Sequence, residues 1–126
     1  FNVFMAAMKM PKDTDEEKAA RRQAMADASK LATEIPLCTL EEGAEVTVIA
    51  LEAAKFGNPN TASDAGSAAL LADAAGRAAS YNVRINLPGI KDEAFAALCK
   101  ERMASALDTI SRNSILSSDH MDEVLG

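Results

Sequence analysis

Ala65-Gly-Ser-Ala-Ala-Leu-Leu-Ala-Asp-Ala-Ala-Gly-Arg-Ala-Ala79 is the stretch of sequence that decides the fold. Eleven of its fifteen residues are alanine, glycine or serine. Alanine has the highest intrinsic helix propensity, and a helix with such short side chains lets neighbouring helices come close. The stretch therefore predicts a thin helix at the centre of a bundle or at an interface between subunits.

The composition of the whole chain favours helices as well. Hydrophobic residues make up 48% of the 126 residues, whereas aromatic residues make up 4% and tryptophan is absent. Strands would need more β-branched and aromatic residues, and no long run alternates between polar and apolar positions. We therefore predict an all-α fold, an antiparallel helix bundle formed by residues 1–126 as one domain.

Local signals divide the chain into helices. Pro11 ends a first helical remnant, and Thr14 with Glu17 forms a capping box that opens the next helix. Pro36 predicts a break or kink near residue 35. The predicted helices are residues 14–34, 36–56, 61–81 (opened by a capping pattern at Thr61) and 91–114. Residues 82–89 are predicted to be a frayed helix end or an ordered connector. Residues 117–126 are predicted to be a polar, mobile tail, with packing of Met121, Val124 and Leu125 on a neighbour as the alternative.

The net charge of −6 limits the partners. Nucleic acids and anionic membranes would repel such a surface, so neither is expected to bind. No apolar run approaches the ~20 residues of a membrane span, and no cleavable signal pattern is present. Cys38 and Cys99 lack metal-ligand spacing and are expected to be buried thiols of a reducing compartment, which predicts a cytoplasmic protein.

The first residue is Phe1, inside the apolar segment of residues 1–8. This segment is typical of the last turns of a helix that began earlier. We therefore expect the chain to be the C-terminal part of a longer protein. Its bundle would then be completed by an upstream helix or by oligomerisation.

Polar residues concentrate at the two ends of the small-residue helix. Asp64, with Ser63 and Asn58 nearby in sequence, is either a capping carboxylate in the first turn or a carboxylate beside a ligand. Asn82 and Asn86 either satisfy loop backbone or bind a ligand, and Arg84 is either an ion-pair partner or a ligand.

Three other polar residues have simpler interpretations. Asp73 and Arg77 are four residues apart and predict an ion pair on one helix face. His120, in the polar tail and without a second histidine, is a poor candidate for catalysis or metal binding.

Several segments together resemble the cyclodeaminase/cyclohydrolase family, which includes the cyclodeaminase half of formimidoyltransferase-cyclodeaminase and stand-alone methenyltetrahydrofolate cyclohydrolases. The similar segments are Met5-Ala-Ala-Met-Lys-Met-Pro-Lys12, Glu16-Glu-Lys-Ala-Ala-Arg21, Ile35-Pro-Leu37, Gly57-Asn58 with Ala62-Ser-Asp-Ala-Gly66, and Asn82-Val-Arg-Ile-Asn-Leu87. Members normally carry a glycine-rich segment and a helix before the position of Phe1.

The resemblance implies an all-α homodimer or higher oligomer that acts in folate one-carbon metabolism without a metal or redox cofactor. Members either close 5-formimidoyltetrahydrofolate with release of ammonia or interconvert 5,10-methenyl- and 10-formyltetrahydrofolate. Both of these reactions remain open for this sequence. A helical assembly or scaffold module that has lost catalysis is the competing hypothesis.

The folate chemistry suggests roles for the polar residues. Both reactions pass through a tetrahedral carbon and involve a cationic bridge, which a carboxylate stabilises, so Asp64 is the catalytic candidate. The anionic glutamate tail of a folate, which is often polyglutamylated, needs cations, and Lys12 and Arg84 are the candidates. The expected contacts to the pterin or its loop come from Asn58, Ser63, Asn82 and Asn86.

Overall fold

The computed structural model describes residues 2–126, so Phe1 of the predicted helical remnant lies outside the described residues. The helices are α1 (Asn2–Met8), α2 (Asp15–Phe56), α3 (Ala62–Asn86) and α4 (Glu93–Leu125). Short 3₁₀ turns at Pro59–Thr61 and Leu87–Gly89 connect the three long helices. Within residues 2–126 no strand occurs, which confirms the all-α prediction.

Helix α2 is one continuous element of 42 residues. The predicted capping box is confirmed, since Glu17 N donates to Thr14 Oγ1 and the Glu17 carboxylate accepts from Thr14 N. The predicted break at Pro36 is wrong, because the helix passes through this residue. Pro36 has no N–H for the Ala32 carbonyl, and Asn86 of α3 donates to this carbonyl instead. Packing of α2 on both α3 and α4 keeps the two halves of the helix aligned.

Helix α3 differs from its prediction at both ends. Thr61 makes no side-chain cap, so the predicted capping pattern is wrong; its hydroxyl donates instead to the Asn58 carbonyl at 2.9 Å. The predicted end near Tyr81 is also wrong, since the helix continues to Asn86. Val83 and Leu87 are buried against the other helices, and this packing extends the helix through residues that looked like a connector.

Helix α4 corrects the prediction of a mobile tail. It runs to Leu125, eleven residues beyond the predicted end. Ser117 is 2% exposed in the core, and the Met121 side chain lies so close to Gly66 that a Cβ there would be 2.7 Å from Met121 Cγ. A polar sequence thus stays helical because one of its faces packs on α3.

The three long helices run up, down and up. Ala32 of α2 contacts Asn86 of α3, and Gly43, further along α2, faces the earlier residue Gly76, so these two helices are antiparallel. Arg77 of α3, which forms the predicted ion pair with Asp73 at 2.6 Å, also reaches Ser111 of α4. The apolar core between the helices is the cluster Leu37, Leu40, Ala44, Ala79, Val83, Leu87, Cys99, Ala106 and Ile110. Short α1 packs on the first turns of α2, where Arg21 donates to the Met8 carbonyl.

Two further findings concern membrane-spanning helices and the exposure of the cysteines. None of the described helices combines the length and the apolar character that a membrane span requires. Both cysteines are free thiols; Cys99 is buried, but Cys38 is exposed, so the prediction of burial is wrong for Cys38. The reason is that Cys38 lies on the outer face of α2, beside the buried Leu37 rather than in line with it.

Candidate functional site

A groove of about 420 Å³ lies on the outside of the bundle between α2 and α3. It exists because the facing positions carry side chains too short to fill the space between the two helices. Its lining residues are Ala32, Ile35, Pro36 and Thr39 from α2, and Ala75, Ala78, Ala79, Asn82 and Asn86 from α3. The small-residue helix of the sequence therefore forms one wall of a concave apolar surface.

Two predicted ligands, Asn82 and Asn86, are brought together at one end of this groove. Asn82 is exposed, and its Nδ2 donates to the Ala78 carbonyl at 3.3 Å. Asn86 is half-buried, and its Nδ2 donates to the Ala32 carbonyl of α2 at 2.8 Å. Both amides are thus tied to the backbone through their NH2 groups, which leaves each Oδ1 as an acceptor.

Asp64 lies at the opposite end of α3. It is exposed in the first turn, and its carboxylate makes no hydrogen bond to any residue of the described chain. Ser63 is exposed beside it, and its carbonyl accepts from Ser67 Oγ. Asn58 caps the preceding 3₁₀ turn by accepting from Asn60 N at 3.0 Å. Asn58, Ser63 and Asp64 do not line the α2–α3 groove. They also lie outside a cleft between α2 and α4 and outside a third cleft beyond the end of α3.

The length of α3 separates the two groups. Asp64 and Asn82 are eighteen residues apart in one helix, which corresponds to about 27 Å. One ligand ring held beside Asn82 is therefore out of reach of the Asp64 of the same chain. Asp64 and Asn82 were predicted to contact the same folate, but a single chain does not bring them together.

The two predicted tail-binding cations are also far apart. Arg84 is exposed near the C-terminal end of α3, where Asn86 faces Ala32 of α2. Lys12 is exposed in the loop before α2, and the first residue of α2, Asp15, lies about 26 Å along the helix from Ala32. The structure does not join them into one anion site within a chain.

A cleft between α2 and α4 carries the strongest charge pairing. Arg102 donates to both carboxylate oxygens of Glu41, at 2.8 and 2.7 Å, and to Glu34 at 2.7 Å. The hydrogen bonds from Arg102 lower the pKa of the Glu41 carboxyl, although partial burial opposes this shift, and they raise the pKa of Arg102. Burial raises the pKa of the neighbouring Cys99 thiol. This network links two helices, and with Glu45 and Glu101 also in its lining the cleft is net acidic and unsuited to an anionic ligand.

A larger cleft of about 660 Å³, which is lined by charged side chains as the groove is not, lies where α2 extends beyond the end of α3. Lys30, one of its lining residues, pairs with Asp92 at 2.6 Å. This pairing, together with the Phe95 amide that donates to the Asp92 carboxylate, lowers the pKa of Asp92. Arg22 and Lys91 also line the cleft, and the sequence analysis did not single out either of them.

Pro36 also forms part of the groove wall, a role that was not predicted although the sequence contains a signal for it. A proline inside a helix leaves the carbonyl four residues earlier without its usual donor, which identifies Ala32 as a position that needs a partner. Across residues 2–126, no cluster of three or more His, Cys, Asp or Glu side chains is arranged to hold a metal ion.

Comparison with known proteins gives a consistent result. Residues 1–105 match the family model described as formiminotransferase-cyclodeaminase. A methenyltetrahydrofolate cyclohydrolase of Methylorubrum extorquens is 46% identical over 96 residues, which cover 76% of this chain and 46% of the relative. Formimidoyltransferase-cyclodeaminases are 33% identical in Sus scrofa (97% of this chain, 23% of the relative) and 36% identical in Gallus gallus (92% and 21%). The chain thus spans less than half the length of these curated relatives.

Proposed function

The chain belongs to the formiminotransferase-cyclodeaminase family, and from that premise we propose that its protein is an enzyme that makes or opens 5,10-methenyltetrahydrofolate. The observation that carries the proposal is the groove, which joins both asparagines of residues 82–87 on walls of small residues. Its volume of about 420 Å³ falls in the range of small-molecule sites. The pterin ring would lie between α2 and α3, with its N–H groups towards Asn82 and Asn86.

Two reactions fit this substrate. In a cyclohydrolase, water bonds to the bridge carbon, gives up one proton, and the carbon–N5 bond breaks as the second proton passes to N5. In a cyclodeaminase, N10 bonds to the formimidoyl carbon and gives up its proton. The terminal nitrogen takes up that proton and a second one from a general acid, and it leaves as ammonia as its bond to carbon breaks. Both involve a cationic carbon and proton transfers, for which a carboxylate is suited. Neither reaction changes an oxidation state, so neither needs a redox cofactor, and the proposal includes no metal ion.

Asp64 is the proposed catalytic carboxylate, supplied by a second copy of the chain. The separation of about 27 Å along α3 excludes an arrangement within one chain. If two α3 helices pair antiparallel about Ala74, the Asp64 of one copy lies level with the Arg84 of the other. Asn58 and Ser63 would then also reach the site from the second copy.

The outer face of α3 supports pairing with a second copy. It combines short side chains at Ala74 and Ala78 with the apolar residues Leu71 and Ile85, which are 72% and 77% exposed. Apolar residues so exposed in a row along one helix are typical of an interaction surface. A homo-oligomer that buries this face is therefore part of the proposal.

Two finer statements complete the proposal. Arg84 would contact the glutamate tail of the folate in this arrangement, and Lys12 would meet a longer, polyglutamylated tail. The protein would work in the cytoplasm, which is consistent with two cysteines that are free thiols.

Substitution of Asp64 in the full-length protein tests the catalytic assignment. Turnover of 5,10-methenyl- and 5-formimidoyltetrahydrofolate is followed through the absorbance of the methenyl group, and the substrate that reacts identifies the reaction. Asp64→Asn should lower turnover by roughly a hundredfold or more, because it removes the proton acceptor and the charge. Asp73→Asn is the matched control, since this carboxylate on the same helix pairs with Arg77 and should leave turnover near that of wild type.

Mixed oligomers test whether the site is shared. The rates are compared at substrate concentrations well below KM, where Asp64→Asn should have little activity and Asn86→Ala, which binds more weakly, about one tenth of wild type. When the two proteins are mixed as random dimers, the rate should rise to about one quarter of wild type, because half the dimers then hold one intact site. Absence of recovery in mixtures shown to exchange subunits would exclude the shared site. Normal turnover of Asp64→Asn would remove Asp64 from the mechanism.

A further inference from the structure

Pro36 changes the hydrogen bonding of α2 at the groove. In an α-helix the N–H of each residue donates to the carbonyl four residues earlier, so residue 36 would normally serve Ala32. Proline has no N–H, and its ring also pushes against that carbonyl. The helix nevertheless continues on both sides of Pro36, from Asp15 to Phe56. The Ala32 carbonyl is therefore free of its usual helical donor while it lies inside an intact helix.

Asn86 provides the replacement donor from α3. Its Nδ2 donates to the Ala32 oxygen at 2.8 Å, across 54 positions of sequence, and this bond is partly buried. Asn82 makes a weaker bond of 3.3 Å to Ala78, a carbonyl that already lies within the regular bonding of its own helix. The carboxamide of Asn86 is thus fixed by a primary hydrogen bond, whereas that of Asn82 is not.

A fixed NH2 group determines what the rest of the amide offers. Once Nδ2 is bound to the Ala32 carbonyl, Oδ1 remains as an acceptor. Rotation of the carboxamide by about 180° would place Oδ1 against the Ala32 carbonyl oxygen, and both of these atoms are acceptors. Asn86 lines the groove together with Pro36 and Ile35, so its acceptor belongs to a largely apolar surface. Such an acceptor favours a flat ring that carries N–H donors.

We propose that Pro36 positions Asn86 to accept a hydrogen bond from a pterin N–H group in the α2–α3 groove. Pro36 is the positioning residue and Asn86 is the residue that contacts the ring. This inference rests on the proposed folate function and adds to it the pair of residues that recognises the pterin ring. It also gives the proline a role in binding rather than in helix termination.

Pro36→Ala in the full-length protein separates this role from a structural one. The new N–H at position 36 becomes the main donor to the Ala32 carbonyl, so Asn86 keeps only a weaker second bond, like the 3.3 Å bond of Asn82 to the Ala78 carbonyl, and its carboxamide is no longer fixed. Binding of 5-formyltetrahydrofolate, measured by calorimetry, should weaken roughly tenfold, the usual size of one lost hydrogen bond in a site. The melting temperature should stay equal or rise, because a proline is removed from a helix interior. A parallel fall in affinity and melting temperature would make Pro36 structural and overturn the proposal.

A double substitution excludes a direct contact between the proline ring and the ligand. Asn86→Ala should weaken binding about as much as Pro36→Ala, and the second change should add nothing when Asn86 is already alanine. A further loss from Pro36→Ala in that background would contradict positioning. Gln23→Ala is the control, an amide on α2 that bonds Asp27 and lies outside the groove.

The wild-type measurement keeps the two proposals distinguishable. A wild-type protein that fails to bind 5-formyltetrahydrofolate would refute the proposed folate function itself. A wild-type protein that binds it, together with a Pro36→Ala variant of unchanged affinity, would refute the positioning role alone.

Discussion

The two ends of the three-helix core are built on opposite principles. At the Pro36 end, large apolar residues such as Leu37, Leu40 and Val83 fill the inside, and short side chains form the groove outside. At the Asp64 end, the inside holds small and polar residues, among them Gly66, Thr47 and Ser117. The first end has the composition of a rigid scaffold for a binding groove. The second resembles a surface that gains stability from a partner.

The largest expected difference concerns the core of the Pro36 end. Ile110 is fully buried, and its Cδ1 occupies the space that a Cβ on Gly76 would need, so it is packed closely. Ile110→Ala should lower the free energy of unfolding by about 3 kcal/mol, the combined effect of lost burial and a cavity. Urea unfolding followed by circular dichroism measures this change.

Ile115→Ala on the same helix is the matched control for Ile110. Ile115 is 61% exposed, and its loss should change the free energy of unfolding by less than about 1 kcal/mol. If both variants lost equal stability, packing of Ile110 in the core at the Pro36 end would contribute no more than an exposed isoleucine does.

The charge network of Arg102 should have an intermediate effect. Arg102→Ala leaves Glu34 and Glu41 without their partner and should lower the free energy of unfolding by about 1–2 kcal/mol at pH 7. Because the hydrogen bonds of Arg102 lower the pKa of folded Glu41, its contribution is present above the ordinary carboxyl value of 4.5 and is lost as the pH falls through the lowered pKa.

Unfolding of wild type and Arg102→Ala at several pH values tests the sign of this dependence. The difference in stability should be nearly constant between pH 7 and about pH 5, and should shrink below 4.5. When Glu41→Gln is introduced into both proteins, the difference in stability should become nearly independent of pH below 4.5 as well. A difference that stays constant down to pH 3, or grows there, would show that Glu41 is not the titrating partner.

The same contrast between ends explains which parts of the fold the sequence could predict. The capping box at Thr14 and the ion pair of Asp73 with Arg77 depend on residues three or four apart, so local rules found both. The continuity of α2 through Pro36 depends on Asn86, 54 positions away, and no local rule includes that residue. Helix α4 was predicted too short because Met121 packs on a distant glycine.

The candidate site shows a similar limit. Asn82 and Asn86 were identified from the sequence, and they do line one groove because they are four apart on one helix face. Asp64 was assigned to the same ligand, but the length of α3 determines the distance between them, and the predicted end of this helix was uncertain by several residues. The roles proposed for Asp64, Lys12 and Arg84 require the proposed pairing of two copies, and no local pattern in one sequence predicts such a pairing.

The smallest expected effect compares one buried serine at each end. Ser80, at the Pro36 end, is 3% exposed and donates to the Arg77 carbonyl at 2.7 Å. Ser117, at the Asp64 end, is 2% exposed, and among the described residues its Oγ has no hydrogen-bond partner. Ser117→Ala should therefore raise the free energy of unfolding by up to about 1 kcal/mol, because it removes an unsatisfied polar group and favours the helix.

Ser80→Ala should leave stability unchanged or lower it by up to about 1 kcal/mol, since it breaks a bond that is made. Both changes replace a buried helical serine by alanine, so helix propensity and lost volume cancel in the comparison. The sign of the difference then reports only on whether each hydroxyl is satisfied. If Ser117→Ala destabilised the protein more than Ser80→Ala, the Ser117 hydroxyl would have a partner in solution, and the Asp64 end would be as fully bonded as the Pro36 end.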